Sequence, residues 1–393
     1  MNDAFLNHAE LRELAKRRLP RAIFEYIDRG TEDERGLRHN REAFDAVRIR
    51  PRVLTAGGTR SQAITLFGQA CDLPIIAAPT ACAGLVRFRG EVELAKAAAA
   101  HKMPFCAALE AINSLEDIIK ASEGTVWFQI YVWQDEALVR DLLARAWSLG
   151  VRTLVVTLDS PVASKREYNQ RNGFGMPFRF SPRNICDVAL HPRWAFGVLG
   201  RYLASGQVPS YSNYPPGHRD TIFSSSKPLP YEDDLEWKHV HWLRDQWKGK
   251  LVLKGILHPG DALLASELGA DGIGVANHGG RTFDSAVAPI EVLPEIARAV
   301  GDRITILADS SVRRGSDVLK LIAAGAKAVM VGRMLLYATA VGGMSGAGHA
   351  IDILRSEIDS SLAMSGCKDI RNVDGRLLVE VGAGAAPIEG SVA

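Results

Sequence analysis

The sequence predicts an α/β protein built as a (β/α)8 barrel, in which eight parallel strands form a closed ring inside a ring of helices. From residue 73 onward, eight short runs rich in Val, Ile and Ala alternate with longer stretches of helical period. The short runs are apolar at almost every position, which is typical of parallel strands buried on both faces. A doubly wound open sheet is the alternative. Its first strand–helix turn would carry a glycine fingerprint, whereas residues 79–84 here read Pro-Thr-Ala-Cys-Ala-Gly.

Each element of the barrel can be placed from this alternation. The eight predicted strands cover residues 73–79, 104–108, 126–132, 153–158, 251–254, 272–277, 305–309 and 328–332. The helices predicted between them cover residues 91–102, 114–122, 136–149, 237–247, 259–268, 287–300 and 316–324.

Three segments fall outside the regular pattern of one domain that spans residues 1–393, with its barrel at 73–340. Residues 1–70 precede the first strand and are predicted to form a helical cap. The connection between the fourth and fifth strands is far longer than a normal barrel loop, so residues 175–230 are predicted to be an insertion. The glycine- and alanine-containing tail after Leu378 is expected to be mobile.

Composition excludes several classes of protein. The net charge of +2 gives no general attraction to nucleic acid. Five scattered cysteines without a CxxC pair indicate neither a disulfide framework nor a zinc site, and they fit a reducing compartment such as the cytoplasm. The charged segment 1–18 does not resemble a signal peptide, and no apolar run approaches the length of a spanning helix.

Polar side chains recur at the points where the apolar strands end. Because barrel active sites gather at the carboxyl ends of the strands, these side chains are expected to share one site. In strand order they are Pro79 and Thr80; Gln129 and Tyr131; Thr157 and Asp159, followed by Arg166; Lys254; His278, followed by Arg281; Asp309, followed by Arg313; and Gly332 with Arg333.

These residue types indicate acid–base chemistry on an anionic substrate. Asp159 is suited to orient the imidazole of His278 and to stabilise its charged form. Arg166 and Arg281 match the planar geometry of a carboxylate. The Lys254 ammonium lies in an apolar strand and is expected to face an anion or an electron-rich ring.

The last two strands carry a predicted phosphate site. Asp309, Arg313, Gly332 and Arg333 flank strands seven and eight, where barrels of this type usually bind a phosphate through backbone N–H groups.

Residues 276–281, Ala-Asn-His-Gly-Gly-Arg, resemble the signature of the FMN-dependent α-hydroxy acid dehydrogenase and oxidase family. Supporting matches extend from Tyr26 to Arg333 and include Phe128-Gln129-Ile130-Tyr131, Thr157-Leu158-Asp159 and Arg313-Arg314-Gly315. Residues 166–174 and 191–194 are most similar to the branch that contains (S)-mandelate dehydrogenase and membrane-associated L-lactate dehydrogenase.

The resemblance implies a role for each matching residue. His278 would remove a proton, from the α-carbon or from the hydroxyl group, and Asp159 would hold the imidazolium. Arg166 and Arg281 would bind the substrate carboxylate, Tyr26 would add a hydrogen bond, and Tyr131 would contact the substrate near its hydroxyl. FMN would be held by Ala78, Pro79, Thr80, Gln129 and Thr157 around the ring, by Lys254 at the N1 edge, by Asp309 at the ribityl chain, and by Arg313, Gly332 and Arg333 at the phosphate.

The implied reaction is oxidation of an (S)-2-hydroxy acid, with (S)-mandelate favoured, and transfer of electrons to a membrane quinone. The alternatives are L-lactate as substrate, oxygen as acceptor, or a non-catalytic phosphate-binding barrel. The family also implies a homotetramer. Two departures concern the flavin: Ser311 stands where the family usually has glycine, and Ala108 stands near a position that usually carries a hydroxyl.

The insertion is expected to lie on the inner face of the cell membrane. Between residues 179 and 201, four arginines stand against Asp187, giving 4 − 1 = +3. Aromatic and aliphatic residues alternate with these charges, namely Phe178, Phe180, Trp194, Phe196, Leu199, Tyr202 and Leu203. The apolar stretch 194–200 is too short to span a bilayer but suits one that lies in the interface. A lid over the active site with no membrane role is the alternative.

Overall fold

The computed structural model describes residues 5–55 and 58–380. Its strands are β1 (Val47–Ile49), β2 (Ile64–Leu66), β3 (Gln69–Cys71), β4 (Ile75–Ala77), β5 (Phe105–Ala108), β6 (Val126–Ile130), β7 (Thr153–Thr157), β8 (Lys250–Ile256), β9 (Gly272–Val275), β10 (Thr305–Ala308), β11 (Ala328–Val331) and β12 (Leu378–Glu380). Its α-helices are α1 (His8–Arg18), α2 (Arg21–Asp28), α3 (Arg35–Ala46), α4 (Ala83–Val86), α5 (Gly90–Ala100), α6 (Leu115–Ser122), α7 (Glu136–Ser148), α8 (Glu167–Asn172), α9 (Pro182–Ala189), α10 (Pro192–Trp194), α11 (Arg201–Ala204), α12 (Trp237–Gln246), α13 (Pro259–Glu267), α14 (Pro289–Val300), α15 (Gly315–Ala323) and α16 (Arg333–Ser365).

Strands β4 to β11 form a closed barrel of eight parallel strands, which confirms the predicted fold class. The ring closes where β11 pairs with β4, with Val329 opposite Ile75. Every residue of β4, β5, β7, β9 and β11 is buried, because helices cover the outer face while side chains fill the interior. The eight predicted strands agree with the observed ones to within two residues at either end.

The barrel helices lie where the sequence predicts them, and side-chain caps define several of their beginnings. Ser114 accepts a hydrogen bond from the Asp117 N–H at the start of α6, and Asp135 accepts two at the start of α7. The long final helix α16 was not predicted. It changes direction at Gly343, whose φ of 60° breaks the helical period.

The N-terminal helices cover the end of the barrel at which the strands terminate, and buried ions attach them there. Asp28, at the end of α2, accepts hydrogen bonds from Arg12 of α1 and from the Tyr337 hydroxyl of α16. Arg41 of α3 pairs with Asp317 of α15 at 2.8 Å. The cap is therefore joined to helices from both the beginning and the end of the chain.

The long connection between β7 and β8 contains α8 to α12 and a π-helical turn at Ala195–Gly200. Two of its aromatic residues attach it to the first barrel loops. The Trp194 indole donates to the Leu85 carbonyl at 2.7 Å, and the Tyr202 hydroxyl accepts from the Arg89 N–H at 3.1 Å. Both rings are buried, so neither contributes to the apolar surface that the insertion exposes.

Two further findings concern the ends of the chain and its relation to a bilayer. The strand β12 pairs antiparallel with β1, and Val379 lies opposite Arg48. The rest of the tail that was expected to be mobile, from residue 381, lies outside the described residues. Among the residues that are described, none of the helices combines the length and the apolar character needed to cross a membrane.

Candidate active site

A cavity of about 1130 Å³ opens at the carboxyl ends of the barrel strands. Seven of the eight strands contribute a lining residue from the last position or from the loop that follows, and β8 contributes Lys254, two residues before its end. All the site residues predicted from the sequence line this cavity except Asp159, which lies directly behind His278. The structure thus brings together side chains that are separated by up to about 300 positions in the chain.

His278 and Asp159 form a hydrogen-bonded pair. Asp159 Oδ1 lies 2.9 Å from His278 Nδ1, which leaves the other ring nitrogen of the imidazole for the cavity. The second oxygen, Oδ2, is buried and has no hydrogen-bond partner among the described residues. A carboxylate in this position accepts the Nδ1 proton and fixes the orientation of the ring. It also favours uptake of a further proton at the far nitrogen.

Burial and neighbouring charges set the protonation of this pair. Burial lowers the pKa of His278, and Lys254 and Arg166 lower it further, although the Asp159 carboxylate opposes them. Burial acts to raise the pKa of Asp159, but His278 and Lys254 together hold it below its usual value. At neutral pH the pair therefore consists of a neutral imidazole and an ionised carboxylate, which is the state a general base requires.

The backbone that carries His278 is left-handed over three consecutive residues. His278, Gly279 and Gly280 have φ values of 55°, 67° and 71°. Glycine adopts this conformation without steric cost, whereas histidine does not. The two glycines of the motif therefore serve the turn, and the turn directs the imidazole into the cavity.

Contacts from outside β9 hold this turn. The Asn277 amide exchanges hydrogen bonds with the Asn40 amide of α3 at 2.7 and 3.0 Å. The Ser310 hydroxyl accepts from the N–H groups of Asn277 and Gly279 at 3.3 and 3.2 Å. Ser310 was not predicted as a site residue, since its position in the sequence indicates only the end of β10.

Lys254 forms a buried ion pair with Asp309. The two side chains meet at 3.1 Å, and the lysine side chain is only 4% exposed. Burial acts to lower the pKa of Lys254, but Asp309 and Asp159 outweigh it and raise the pKa above its usual value. Lys254 is therefore a fixed positive charge in the cavity wall.

A glycine in β8 makes room for Asp159. Gly255 has a φ of 106° and lies at an irregularity in the pairing of β8 with β9. A Cβ atom at this position would lie 2.6 Å from the Cβ of Asp159. The close approach of β8 to Asp159 therefore requires glycine.

Arg281 is held by the end of a cap helix. Its Nη1 atom donates to the carbonyl groups of Tyr26 and Ile27 in the last turn of α2 and of Arg29 at the C-cap. Its guanidinium lies over the Tyr26 ring, 5.0 Å from the centroid. Arg166 is adjacent and donates to the Arg281 carbonyl at 3.3 Å.

The two arginines repel each other. Burial, together with Arg166, lowers the pKa of Arg281 to about 10, and the side chain remains charged at neutral pH. Two neighbouring cations in a cavity wall are stabilised by a bound anion.

Two further arginines, Arg313 and Arg333, make another part of the cavity wall basic. Arg333 donates to the carbonyl groups of Ile27 and Gly279 at 3.0 and 2.8 Å. Arg313 lies in the same wall, where burial and the neighbouring Arg41 lower its pKa. The Ser311 hydroxyl faces this region; it is buried and has no hydrogen-bond partner among the described residues.

Small or neutral residues line the middle of the cavity. Gln129 donates to the Thr157 hydroxyl at 3.0 Å, and both side chains are buried. A Cβ atom on Gly332 would meet Thr80 and Ala78 at 3.4 and 3.6 Å, which are ordinary van der Waals distances, so these three residues lie side by side in the wall.

Two wall residues were missed by the sequence analysis. The Glu110 carboxylate accepts a hydrogen bond of 2.7 Å from the Tyr231 hydroxyl, and both residues line the cavity. Glu110 follows β5, and the sequence analysis considered this part of the chain only because Ala108 stands near a position that usually carries a hydroxyl group. Tyr231 directly follows the predicted insertion, where no strand end marks it.

The chain is similar to proteins of one family along almost its whole length. A family model described as FMN-dependent dehydrogenase matches residues 15–380. The L-lactate dehydrogenase of Caulobacter sp. (strain K31) is 39% identical over 373 residues, which cover 94% of this chain and 97% of that protein.

Solved structures show the same likeness. The monotopic membrane protein (S)-mandelate dehydrogenase aligns with a TM-score of 0.89 at 33% identity and covers 97% of this chain and 100% of that one. Mandelate oxidase with (S)-2-phenylpropionate aligns with a TM-score of 0.79 at 31% identity, covering 95% of this chain and 98% of that one.

Gly255→Ala is expected to destabilise the fold by about 1–3 kcal/mol, because its Cβ would displace Asp159 in addition to straining the backbone. Urea unfolding measures the effect. Gly206→Ala is the matched control, since Gly206 also has a positive φ, 71°, but nothing lies within 4 Å of its Cβ position. Equal losses in the two variants would show that the contact with Asp159 has no energetic weight.

Proposed function

Since the chain belongs to the FMN-dependent dehydrogenase family, we propose that it oxidises an (S)-2-hydroxy acid, best represented by (S)-mandelate, to the 2-keto acid and passes the electrons to a membrane quinone. One observation carries the proposal. A neutral imidazole, oriented by a carboxylate, shares a cavity with two adjacent arginines. That arrangement suits removal of a proton from a substrate whose carboxylate is held in place.

The wall of the cavity fits FMN. The Ser311 hydroxyl is buried without a partner beside Arg313, as expected where a phosphate supplies the missing acceptor. Arg313, Gly332 and Arg333 would hold the phosphate, and Asp309 would hold the ribityl chain. Residues 78–80, with Gln129 and Thr157, would surround the ring, and Lys254 would lie at its N1 edge. When bound, FMN supplies the two-electron acceptor for the reaction.

Substrate binding is assigned to the arginine pair. Arg166 and Arg281 would bind the carboxylate, which relieves the repulsion that lowers the pKa of Arg281. The hydrogen bonds from Arg281 to the end of α2 keep its guanidinium in one position. Tyr26, whose ring lies beneath Arg281, would add a hydrogen bond to the carboxylate, and Tyr131 would contact the substrate near its hydroxyl.

Proton removal is assigned to His278. Its neutral imidazole would accept the proton from the α-carbon or from the hydroxyl group, and the resulting imidazolium would be stabilised by Asp159. Because Asp159 is already ionised in the free protein, it would need no rearrangement when the charge forms.

An aromatic side chain on the substrate is supported by the aromatic wall near Tyr131. The Tyr131 and Tyr231 rings lie 4.9 Å apart, and both line the cavity. L-lactate is the second candidate, because the L-lactate dehydrogenase of Caulobacter sp. (strain K31) is 39% identical to this chain, whereas the (S)-mandelate dehydrogenase is 33% identical. An oxidase that uses oxygen is a further alternative within the class, and the likeness to mandelate oxidase favours testing it.

The purified protein is expected to be yellow and to lose its flavin absorbance when (S)-mandelate is added without oxygen. His278→Ala is expected to retain the flavin but to bleach at least about 1000-fold more slowly, because the base is lost. Stopped-flow absorbance measures the rate. Comparison of quinone reduction with oxygen uptake then separates a dehydrogenase from an oxidase.

The matched control is His241→Ala, which removes an exposed histidine from α12. It should bleach at the rate of the unchanged protein. A colourless protein, or one that no 2-hydroxy acid bleaches, would favour the non-catalytic phosphate-binding barrel. Near-normal bleaching of His278→Ala would refute the assignment of the base.

The rate of bleaching at low substrate concentration is expected to fall as the pH drops through a pKa below 6.5. The imidazole must be neutral to accept a proton, and burial lowers its pKa. In Asp159→Asn the fall in the bleaching rate should move to still lower pH, because the carboxylate that raises the histidine pKa is removed. The rate on the plateau at higher pH should also be lower. A limb above pH 6.5, or one that Asp159→Asn moves upward, would contradict this protonation scheme.

Membrane association is assigned to one face of the insertion. Its exposed apolar side chains are Phe180, Ile185, Leu190, Phe196, Leu203 and Phe223. Arg183, Arg193 and Arg201 are exposed on the same segment. Apolar side chains among arginines suit the interface of an anionic bilayer, and the buried Trp194 and Tyr202 would hold this face to the barrel.

Leu190→Ser with Phe196→Ser is expected to reduce binding to anionic lipid vesicles several-fold, because these side chains are 79% and 77% exposed on the proposed membrane face. Co-sedimentation with vesicles measures binding. The control, Leu6→Ser with Met364→Ser, replaces side chains that are 61% and 72% exposed but lie outside the insertion. Equal binding by all three proteins would exclude this face as the membrane contact.

A further inference from the structure

Glu110 places a carboxylate in the wall of the cavity. The loop that follows β5 carries it, and it lies deep in the protein, where burial raises its pKa. Its Oε1 atom accepts a hydrogen bond from Tyr231 at 2.7 Å. Its Oε2 atom receives none from any described residue.

The partner of Glu110 is firmly placed. The Tyr231 hydroxyl lies 2.5 Å from the Tyr214 hydroxyl, and the Tyr231 backbone forms an isolated β-bridge with Trp133, just beyond the end of β6. Tyr231 is therefore held both through its side chain and through its main chain. The Glu110 carboxylate is therefore held through its Oε1 atom.

The Tyr131 ring packs against the partner of Glu110, since it lies 4.9 Å from the Tyr231 ring. Burial raises the pKa of Tyr131, and the charges of Glu110 and Asp159 raise it further. Tyr131 therefore neighbours both the proposed site of proton removal and Glu110.

The cavity has two sets of polar groups beyond the proposed flavin site. Arg166 and Arg281 form a positive pair. Glu110 supplies a carboxyl group, and no ion pair joins it to Arg166 in the described part of the chain, although the charge of Arg166 acts to lower its pKa. A substrate whose carboxylate meets the arginines and whose side chain passes Tyr131 would end near the free oxygen of Glu110.

Chemical complementarity then limits the end of that side chain. A wholly hydrocarbon group would displace water from Oε2 and supply no hydrogen bond in return, which is unfavourable for a buried carboxylate. A hydroxyl group would donate to Oε2 while Tyr231 continues to donate to Oε1. A site built to bind a hydroxyl group discriminates strongly against the analogue that lacks it.

We propose that Glu110, supported by Tyr231, is a specificity-determining residue that accepts a hydrogen bond from a hydroxyl group on the side chain of the substrate. The preferred substrates are then 2-hydroxy acids with a second hydroxyl group at the end distant from the carboxylate. This inference rests on the proposed function and deepens it, since unsubstituted mandelate or lactate would leave Oε2 without a donor.

Two matched pairs of acids test the proposal with the flavin-loaded protein: mandelate with 4-hydroxymandelate, and 2-hydroxybutanoate with 2,4-dihydroxybutanoate. Anaerobic bleaching at low concentration gives the second-order rate constant for each acid. The unchanged protein is expected to prefer the hydroxylated member of at least one pair by about 10-fold or more. Glu110→Leu should reduce that preference to near unity through slower reaction of the hydroxylated acid, with little loss for its partner.

Glu110→Gln serves as the conservative variant, because its amide oxygen still accepts a hydrogen bond, and it should keep most of the preference. If Glu110→Leu does not fold or retain flavin, Tyr231→Phe replaces it. In that variant Glu110 Oε1 is free to compete with Oε2 for the hydroxyl group of the substrate. The ratio of the two rate constants within the preferred pair of acids should therefore change.

The outcomes separate this inference from the function on which it rests. Bleaching by none of the four acids would overturn the proposed function. Bleaching without preference in either pair, or an equal loss for both members of a pair in the variants, would overturn the role of Glu110 alone. The second result would identify Glu110 as a structural support for Tyr231.

Discussion

The left-handed turn at residues 278–280 is the constraint on which the site depends, and the barrel does not hold it alone. The turn carries the imidazole, yet its support comes from Asn40 in the cap and from Ser310 after β10. Because histidine pays a steric cost in this conformation, the surrounding hydrogen bonds must outweigh that cost. The geometry of the base is thus a property of three separate segments of the chain.

Buried charge is arranged around the turn in complementary groups. Asp159 and Asp309 are the anions of the inner wall, while Lys254 interacts with both of them. Neither Arg166 nor Arg281 forms an ion pair within the part of the chain that the structure describes, and burial together with the neighbouring Arg166 lowers the pKa of Arg281. With His278 neutral, the inner group carries a net charge of +1 − 2 = −1, whereas the arginine pair is positive, and such a distribution directs an anion to the arginines.

The sequence predicts the barrel well because parallel strands are apolar at nearly every position and end abruptly at polar residues. Lys254, His278 and Asp309 were identifiable for that reason alone. Glu110 and Tyr231 were not, since they lie in connections where no periodicity shows which way a side chain points. The same limit applies to Trp194 and Tyr202, because an amphipathic segment does not reveal which of its aromatic residues face the barrel. The helix α16 was missed because the bend at Gly343 interrupts its period.

The carbonyl groups at the end of α2 bind both Arg281 and Arg333, and the Ile27 carbonyl accepts from each of them. A peptide of a few residues therefore links the arginine proposed to meet the carboxylate to the arginine proposed to meet the phosphate. Such an arrangement restricts how the family can diversify. Loops such as the one that carries Glu110 can change independently and alter substrate choice, whereas α2 and the two arginines must be inherited as a unit. Exchange of the N-terminal segment between relatives by recombination would succeed only where the path of those carbonyl groups is the same.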